Sequence, residues 1–518
     1  MSFGMLMRKY AGMYRETPAV ICDGRVGTYA ELYERSCRLA QALAGLGIVP
    51  GDRVALLADN CFEVPEVKVG LALGGFVRSS LYVQNTADLN RYLLELIGAR
   101  ALIVQSHHLE ALTPALEGLE GLDEVIVIGG GAGGHDYEQL LAAASDADPR
   151  VPVAPDDIHQ IRFSAGTTGK PKGIAHTTAG WLAVSNEMAL VMPRLDEGDR
   201  YLAAGPLTHA ATLPFWPMLA AGGTIVIAPA FEPGPVLELI ERERCTITLV
   251  VPTMIQMLLE QPDAKTRDCS SLRAVIYGAA PIAERTLREA IAAWGNVMYQ
   301  IYGQSEAGLI TALTPQHHRP DGEERERRWL RSAGRAMPNV VVSILDEHGE
   351  ELPAGEMGEV AVLSPGGMSE IWGDPQATVA RQLADGHVLT RDLGYLDQDG
   401  FLYLIDRKED MIISGGFNVW PAELENALLE HPAVHAAAVV GIPHVKWGET
   451  AVAAVILRPG AQASEEELIA WTRERLGPVK KVTAVRFVET LPTSGVGKVL
   501  RREVRQLWTT DDPPISGA

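Results

Sequence analysis

A dozen residues from Arg162 to Gly173, RFSAGTTGKPKG, combine backbone freedom with hydroxyl and ammonium groups. The three glycines allow the backbone to approach an anion closely and to turn its N–H groups inward. Ser164 and two threonines add hydroxyl donors, and Lys170 and Lys172 add positive charge. This pattern predicts a loop that closes over a polyphosphate. An ordinary glycine-rich turn is the competing interpretation, which the two lysines and three hydroxyls disfavour.

The loop differs from the P-loop of nucleoside triphosphatases. A P-loop needs the spacing G-x-x-x-x-G-K before a helix, whereas only Thr167 and Thr168 separate Gly166 from Gly169 here. Pro171 also disfavours helical backbone at the preceding lysine. Because the flanking segments HQIRFS and GIAHTT have strand patterns, we expect a loop between two strands.

Composition limits the classes of function. The chain has 518 residues, 47% of them hydrophobic and 21% charged, and its formal net charge is −21. This charge argues against general nucleic-acid binding, so an anionic ligand needs a local positive pocket. No apolar run is long enough to span a membrane, and the first residues do not resemble a secretory signal. The five cysteines lack metal spacing, so we expect a cytoplasmic protein in which they are small core residues.

Helix and strand patterns alternate along most of the chain. Residues 29–47 have helical apolar spacing, and the later segments RALIVQS, EVIVIGG, GTIVIAPA and CTITLVVPT have strand patterns. The alternation predicts α/β layers with mostly parallel strands, followed by a small β-rich subdomain over about 332–406. We expect an N-terminal domain over 1–406, a hinge at 407–410 and a small α+β C-terminal domain over 411–518.

The segment YGQSEAG carries side chains suited to nucleotide chemistry. Tyr302 could stack on a purine, Ser305 could donate to a phosphate and Glu306 could bind Mg²⁺. The competing interpretation is a helix start with Ser305 as its N-cap.

Three further residues stand in segments with ordinary alternatives. His209 in the apolar GPLTHAATLPFW is typical of a packed, hydrogen-bonded histidine, and Asp392 in LTRDLG also suits a turn or a cap. Lys498 in TSGVGK also suits a solvated loop. Each alternative is reasonable alone, but the joint occurrence of these segments in this order favours a nucleotide-dependent enzyme.

In this order the segments resemble the core motifs of the ANL adenylate-forming enzymes, which comprise acyl- and aryl-CoA ligases, adenylation domains of peptide synthetases, and luciferases. The resemblance rests on SAGTTGKPKG, YGQSE, TRDLG, DRKEDMIISGGFNVWPAELE and PTSGVGK, and it covers essentially the whole chain. It implies an AMP-forming acyl-CoA ligase that uses ATP, Mg²⁺ and coenzyme A. It also implies that the C-terminal domain rotates about Glu409 between two half-reactions.

The resemblance also implies a role for each matching residue. Residues implied at the phosphates of ATP are Ser164, Ala165, Gly166, Thr167, Thr168, Gly169, Lys170, Lys172 and Ser305. Those implied at the adenine are Gly278, Ala279, Ala280, Tyr302 and Gly303. The ribose would be held by Asp392 and Arg407, and the pantetheine of CoA would pass Gly415, Gly416 and Trp447. Residues implied in catalysis are Lys498, Glu306, Thr167 and His209, with Glu306 as the ligand of Mg²⁺.

Several alternatives stay open. A carrier protein or an amine could replace CoA as the acyl acceptor, the latter in an amide synthetase, and a catalytically silent homologue would lack activity altogether. Retention of Glu306 and Lys498 disfavours the silent homologue. The segments expected at the acid, around Trp181, over 209–216 and at Ala279–Ala280, are apolar and partly aromatic. We therefore expect a hydrophobic monocarboxylic acid, and we allow for a homodimer.

Overall fold

Local signals in the sequence set the first long helix. Tyr29–Gly45 begins after Thr28, whose side chain accepts a hydrogen bond from the Glu31 N–H while the Glu31 carboxylate accepts one from Thr28. This reciprocal capping box satisfies two backbone donors at the helix start. The helix therefore forms where the apolar spacing predicts it.

The computed structural model describes residues 1–164, 170–408, 410–493 and 499–508. The elements of the N-terminal half are α1 Phe3–Met13, β1 Pro18–Cys22, β2 Arg25–Thr28, α2 Tyr29–Gly45, β3 Arg53–Leu57, α3 Glu63–Gly74, β4 Val77–Ser80, α4 Ala87–Ile97, β5 Ala99–Gln105, α5 Ser106–Leu116, β6 Glu124–Ile128, β7 His135–Asp136, α6 Tyr137–Ala143, β8 Ile158–Ser164, β9 Lys172–Thr177, α7 Thr178–Val191, β10 Arg200–Ala203, α8 Phe215–Ala221, β11 Thr224–Ile227, α9 Pro233–Arg242, β12 Ile247–Val250 and α10 Pro252–Leu259.

The elements that follow are β13 Ala274–Gly278, α11 Glu284–Trp294, β14 Met298–Gln304, β15 Gly308–Leu313, α12 Glu324–Trp329, β16 Arg335–Ala336, β17 Val341–Leu345, β18 Gly358–Leu363, β19 Glu370–Ile371, α13 Pro375–Val379, β20 Val388–Leu396, β21 Leu402–Arg407, β22 Ile412–Ser414, β23 Phe417–Val419, α14 Pro421–Leu429, β24 Val434–His444, β25 Gly448–Leu457, α15 Glu465–Leu476, β26 Ala484–Phe487 and α16 Arg501–Arg505. Two 3₁₀ turns lie at Ala210–Thr212 and Pro315–His317.

Contacts between Cα atoms divide the chain into two compact units. The N-terminal unit contains Met1–Ala280, Thr286–Val342 and Val362–Leu389. The C-terminal unit contains Pro281–Arg285, Ser343–Ala361 and Thr390–Ala518. The segment predicted to be β-rich is thus shared between the two units. The hinge stays a prediction, since Glu409 lies outside the described residues.

Two large sheets form the N-terminal unit. One has nine strands in the order β16-β15-β14-β13-β12-β10-β11-β1-β2, and the other has eight in the order β19-β9-β8-β4-β3-β5-β6-β7. Their central pairs are parallel, for example β3 with β5 and β12 with β13. Helices connect these parallel strands, as parallel pairing requires. The predicted class, mostly parallel α/β layers, is confirmed.

The C-terminal unit is built on smaller sheets. A four-stranded sheet has the order β17-β18-β20-β21, and a five-stranded sheet has β23-β22-β25-β24 with β26 beside β25. Helix α15 connects the parallel strands β25 and β26. Buried aliphatic residues such as Leu424, Val439 and Leu468 form the core under this sheet. The predicted small α+β domain is confirmed in its class of fold.

Two composition-based expectations can be compared with the structure. Cys22, Cys37, Cys245 and Cys269 are buried and Cys61 is half-buried, and none forms a disulfide. In the part of the chain that the structure describes, no helix has the length and apolar character needed to cross a membrane.

Candidate active site

The two strands predicted to flank the glycine-rich loop pair directly with each other. β8 and β9 are antiparallel, and Ser164 lies opposite Lys172 at the open end of the pair. The loop residues between them, Ala165 to Gly169, lie outside the described residues. The Lys172 ammonium is 3.2 Å from a carboxylate oxygen of Asp374, and the Lys170 ammonium is 5.0 Å from the ring of Tyr92. The pairing therefore brings Ser164, Lys170 and Lys172 to one edge of the eight-stranded sheet.

The segments predicted to bind adenine lie on adjacent parallel strands. Gly278 ends β13 directly beside Ile301 of β14. A side chain at Gly278 would collide with the Ile301 carbonyl, so glycine permits the close approach that places Tyr302 next to it. Ala279 follows in the left-handed region with φ 68°, a backbone conformation that is costly for alanine and often marks a functional position. Ala279 and Ala280 are exposed, and Tyr302 is half-buried.

Glu306 lies in a turn between two strands. β14 and β15 form an antiparallel hairpin around it, so the alternative of a helix N-cap at Ser305 is wrong. One oxygen of the Glu306 carboxylate is 3.3 Å from a guanidinium nitrogen of Arg381, and both side chains are about nine-tenths buried. The Nη1 atom of Arg381 is buried and has no hydrogen-bond partner in the part of the chain that the structure describes. Arg381 thus neutralises the charge of the predicted metal ligand.

One segment connects the Glu306 turn with the base of the glycine-rich loop. The N–H of Met368 donates to the carbonyl of Glu306 at 2.8 Å, and the N–H of Trp372 donates to the carbonyl of Gly173 at 2.8 Å. Between them β19 pairs with β9, and Asp374 then reaches Lys172. The two predicted phosphate-side elements are therefore held together within the N-terminal unit.

His209 is buried in the same unit. Its Nδ1 atom is 2.7 Å from the hydroxyl of Thr208, and its ring packs 3.7 Å from the ring of Tyr82. Burial, with the positive charge of Arg162 nearby, lowers the pKa of His209 to about 3. The imidazole is therefore neutral at physiological pH and is suited to hydrogen bonding and packing rather than to charge pairing. Trp181 and Trp216, also expected at the acid, are buried.

Within the C-terminal unit, Asp392 and Arg407 are neighbours. They lie opposite each other on β20 and β21, with 3.4 Å between the Arg407 Nε and an Asp392 oxygen. Asp392 lies inside a strand, so the alternative of a turn or cap residue is wrong. The pair presents one acceptor and one donor group side by side, an arrangement that suits two adjacent hydroxyls.

Gly415 and Gly416 form the turn of the β22–β23 hairpin. Their φ angles are 59° and 83°, as required at both central residues of a tight hairpin turn. The Gly415 N–H donates to the Trp447 carbonyl at 2.8 Å. A side chain at Gly415 would approach the Trp447 ring to 2.7 Å, so glycine here allows the indole to lie against the turn. Trp447 keeps 37% of its surface exposed.

Comparison with known proteins agrees with this geometry. The AMP-binding enzyme family matches residues 7–372, and the AMP-binding enzyme C-terminal domain matches residues 423–498. The chain belongs to the AMP-binding enzyme family. The predicted class, an adenylate-forming enzyme of the AMP-forming acid–thiol ligase type, is confirmed with it.

Individual members of this family resemble the chain over nearly its full length. A medium/long-chain-fatty-acid–CoA ligase from Mycobacterium tuberculosis is 36% identical over 500 residues, covering 93% of this chain and 86% of that protein. A feruloyl-CoA synthase from an Amycolatopsis species is 36% identical over 505 residues, covering 96% and 97%. The solved structure of an amide bond synthetase from Marinactinospora thermotolerans superposes with a TM-score of 0.87 at 33% identity, covering 98% of this chain and all of that one.

The AMP-binding fold also brings together residues that sequence reasoning missed. Arg78, Gln160 and Arg162 line a cavity beside His209, and Arg381 pairs with Glu306. The first three come from β4 and β8, far in sequence from His209. A signal was present, because arginine inside the apolar strand segments FVRSSLY and HQIRFS breaks the rule that charged residues are seldom buried. Lys498 and Thr167 lie outside the described residues, so their roles stay predictions.

Proposed function

We propose that this protein joins an apolar carboxylic acid to coenzyme A in two steps. In the first step a carboxylate oxygen attacks the α-phosphorus of ATP, the bond to the bridging oxygen of the β-phosphate breaks, and acyl-adenylate and pyrophosphate form. In the second step the CoA thiolate attacks the acyl carbon, the carbon–oxygen bond to AMP breaks, and AMP leaves with the electron pair.

The observation that carries this proposal is the connection between the Glu306 turn and the Lys172 end of β9 through residues 368–374. Attack of one anion on another needs positive charge and fixed positions more than covalent help from the protein. Lys172 and Arg381 supply positive charge from one rigid unit. When a polyphosphate binds, we expect Lys172 to exchange Asp374 for a phosphate oxygen.

The site around Glu306 fits a Mg²⁺ ion whose ligands come partly from the protein and partly from the phosphates of the substrate. Mg²⁺ is commonly held by one or two carboxylates together with substrate phosphates, and Glu306 offers one carboxylate. When bound, the ion would neutralise charge on the phosphate oxygens. Arg381 would then retain part of its ion pair with Glu306 or release it to the metal.

The remaining residues are proposed to position substrates. Tyr302, beside Gly278, would stack on the adenine, and Asp392 with Arg407 would bind the ribose hydroxyls. The neutral His209 would pack against the acid and would not form an ion pair with its carboxylate. Lys498 is proposed to neutralise the attacking carboxylate, as the family resemblance implies.

Pyrophosphate release tests the first step. Wild-type protein with ATP and Mg²⁺ should release pyrophosphate only when a suitable acid from an aliphatic and aromatic panel is added. Glu306→Gln should lower the rate roughly 10²–10³-fold through loss of metal and phosphate positioning, while the exposed Glu110→Gln should leave it unchanged. No acid-dependent release with any acid would reject the ligase proposal.

Product analysis tests the acceptor. Mass spectrometry should detect an acyl-CoA thioester when CoA is present, and its absence with continued pyrophosphate release would indicate another acceptor. Parallel reactions with a phosphopantetheinylated carrier protein and with free amines separate these alternatives. Lys498→Ala should abolish pyrophosphate release but retain thioester formation from supplied acyl-adenylate, and loss of both would contradict its proposed role.

A further inference from the structure

The eight-stranded sheet carries a polar stripe on one face. Arg78 of β4 lies directly opposite Gln160 of β8 in parallel register, so the two side chains point to the same side. Arg162, two residues along β8, points to that side as well because strand side chains alternate. The opposite side of β8 carries Ile161 and Phe163, which belong to an apolar core cluster. Only one face of these strands is therefore built for polar contacts.

Positive charge on this face is not balanced by acids. Arg78 is 6% exposed and donates to the side-chain oxygen of Gln160. The backbone of Arg162 pairs with Ile174 of β9, but its half-buried side chain forms no hydrogen bond or ion pair with any described residue. Its guanidinium lies 5.3 Å from the ring of Trp181. The charge of Glu306 reaches Arg162, but Glu306 is already paired with Arg381. Buried cations are normally paired, because burial without a partner costs several kcal/mol.

The cavity in front of this stripe is rich in unused donors. It measures about 20 Å³, enough for roughly one water-sized group. Arg78, Gln160, Arg162, Thr212 and His209 are among its lining residues, and no Asp or Glu of the described chain is. The Gln160 Nε2 and the Thr212 hydroxyl are buried and have no hydrogen-bond partner among the described residues. A guanidinium, an amide NH₂ and a hydroxyl all therefore lack an acceptor.

We propose that this cavity is a subsite for an acceptor oxygen at the far end of the acid, either a second carboxylate or a ketone carbonyl. The inference rests on the proposed function, since it takes the cavity beside His209 as part of the acid site. It refines the expected hydrophobic acid to one with an apolar body and a polar tip. His209 and Thr212 come from the segment expected at the acid.

ATP is the other source of acceptor oxygens, and strand geometry disfavours it. Gln160 is four residues before Ser164 on β8, so it lies about 13 Å from the predicted phosphate loop at roughly 3.3 Å per residue. A phosphate held by that loop would not reach Gln160 or Arg78. The test must nevertheless separate the two sources.

Matched acids provide the test. The aliphatic set is heptanoate, 6-oxoheptanoate and adipate. The aromatic set is 4-ethylbenzoate, 4-acetylbenzoate and terephthalate. In at least one set we expect the oxo or dicarboxylate member to exceed the methyl-ended member about tenfold or more in kcat/KM of pyrophosphate release. Arg162→Met should abolish that preference, measured as the ratio of kcat/KM between the oxo or dicarboxylate member and the methyl-ended member of a set. The exposed Lys265→Met serves as the charge-matched control.

Acid binding gives a second readout that does not depend on turnover. The same acids should raise the Tm of the wild-type protein in the order of the preference, and Arg162→Met should remove the difference. Equal or greater stabilisation by methyl-ended acids in both sets would overturn the subsite. A changed KM for ATP with an unchanged acid preference would reassign the arginines to phosphate binding. Complete absence of pyrophosphate release alongside selective acid binding would reject the ligase reaction and leave the subsite standing.

Discussion

Two groups of buried or half-buried arginine in this molecule have opposite surroundings. Arg501, in the C-terminal unit, lies 2.8 Å from carboxylate oxygens of both Asp410 and Glu425 and 3.5 Å from Asp406. Arg78 and Arg162, in the N-terminal unit, have no carboxylate partner among the described residues. Arg78 is buried, and Arg162 and Arg501 are half-buried, so each charge is partly withdrawn from water at a cost in free energy.

The difference distinguishes an arginine that stabilises the fold from arginines that are proposed to bind a ligand. Burial raises the pKa of Asp406 and of Glu425, and Arg501 opposes that rise. The C-terminal group is thus complete without a ligand. Burial lowers the pKa of Arg78 to about 9 and also lowers that of Arg162, yet both stay cationic near neutral pH. The arginines of the N-terminal group would gain acceptors for their N–H donors only when a ligand with acceptor oxygens binds.

The largest expected effect is on the satisfied group. Arg501→Met should lower the free energy of unfolding of the C-terminal unit by about 3–5 kcal/mol, because it leaves buried carboxylates without a counter-charge. Hydrogen exchange of the amides of β24 and β25 measures this unit separately. Arg502→Met, an exposed position on the same helix, should change it by less than about 0.5 kcal/mol. Equal effects at the two positions would refute the structural role.

The opposite sign is expected in the unsatisfied group. Arg162→Met replaces a half-buried cation, which has no partner among the described residues, by an apolar side chain of similar length, so it should raise the free energy of unfolding by about 1–3 kcal/mol. Denaturant unfolding without acid measures this change. Addition of a bound oxo or dicarboxylic acid should narrow the gap, since it stabilises only the wild-type protein. A destabilised variant would place Arg162 with Arg501 as a structural residue.

Local patterns explain which parts of the fold could be predicted. The helix at Tyr29 and the strand pair around the glycine-rich loop follow from capping, spacing and turn residues that lie close together in sequence. The paired positions of Asp392 and Arg407 were implied by resemblance, and register then places them side by side. The sequence could not distinguish the β14–β15 hairpin from a helix start, because Ser305 and Glu306 suit either structure locally.

The cation-lined cavity could not be predicted in the same way. Its residues come from β4, β8 and the segment around His209, and only the order of strands in the sheet makes them neighbours. Arg162 is evident in the sequence at the start of the glycine-rich motif, but only the three-dimensional structure shows that its side chain has no partner among the described residues. The same applies to Arg381, which follows the segment 368–374 and meets Glu306 because β19 in that segment pairs with β9.

A smaller effect is expected at the hairpin that supports Trp447. Gly415→Ala should cost about 1–2 kcal/mol for the left-handed backbone and should also push the indole away. Gly416→Ala carries only the backbone cost, because nothing lies within 4 Å of its added methyl. We expect only Gly415→Ala to raise the KM for CoA, about tenfold, with pyrophosphate release unchanged in both. The same KM for CoA in both variants would contradict the proposed role of Trp447.

The smallest effect concerns a third, partly exposed site, where an arginine is paired with a carboxylate. Arg8 and Tyr33 both donate to the carboxylate of Asp148, Tyr33 at 2.7 Å. Burial alone would raise the pKa of Asp148, but these hydrogen bonds outweigh it and lower the pKa from 3.8 to about 2. A lowered pKa in the folded state stabilises the protein above pH 4, and this contribution is lost as the pH falls towards 2. Because Arg8 is 36% exposed, solvent screening reduces the contribution to about 1 kcal/mol.

Asp148→Asn should therefore lower the free energy of unfolding at pH 7 by that amount, and the difference from wild type should shrink between pH 4 and pH 2. The exposed Asp156→Asn should show a small difference that does not vary with pH, and a pH-independent loss at Asp148 would mean that its packing, not its charge, stabilises the fold.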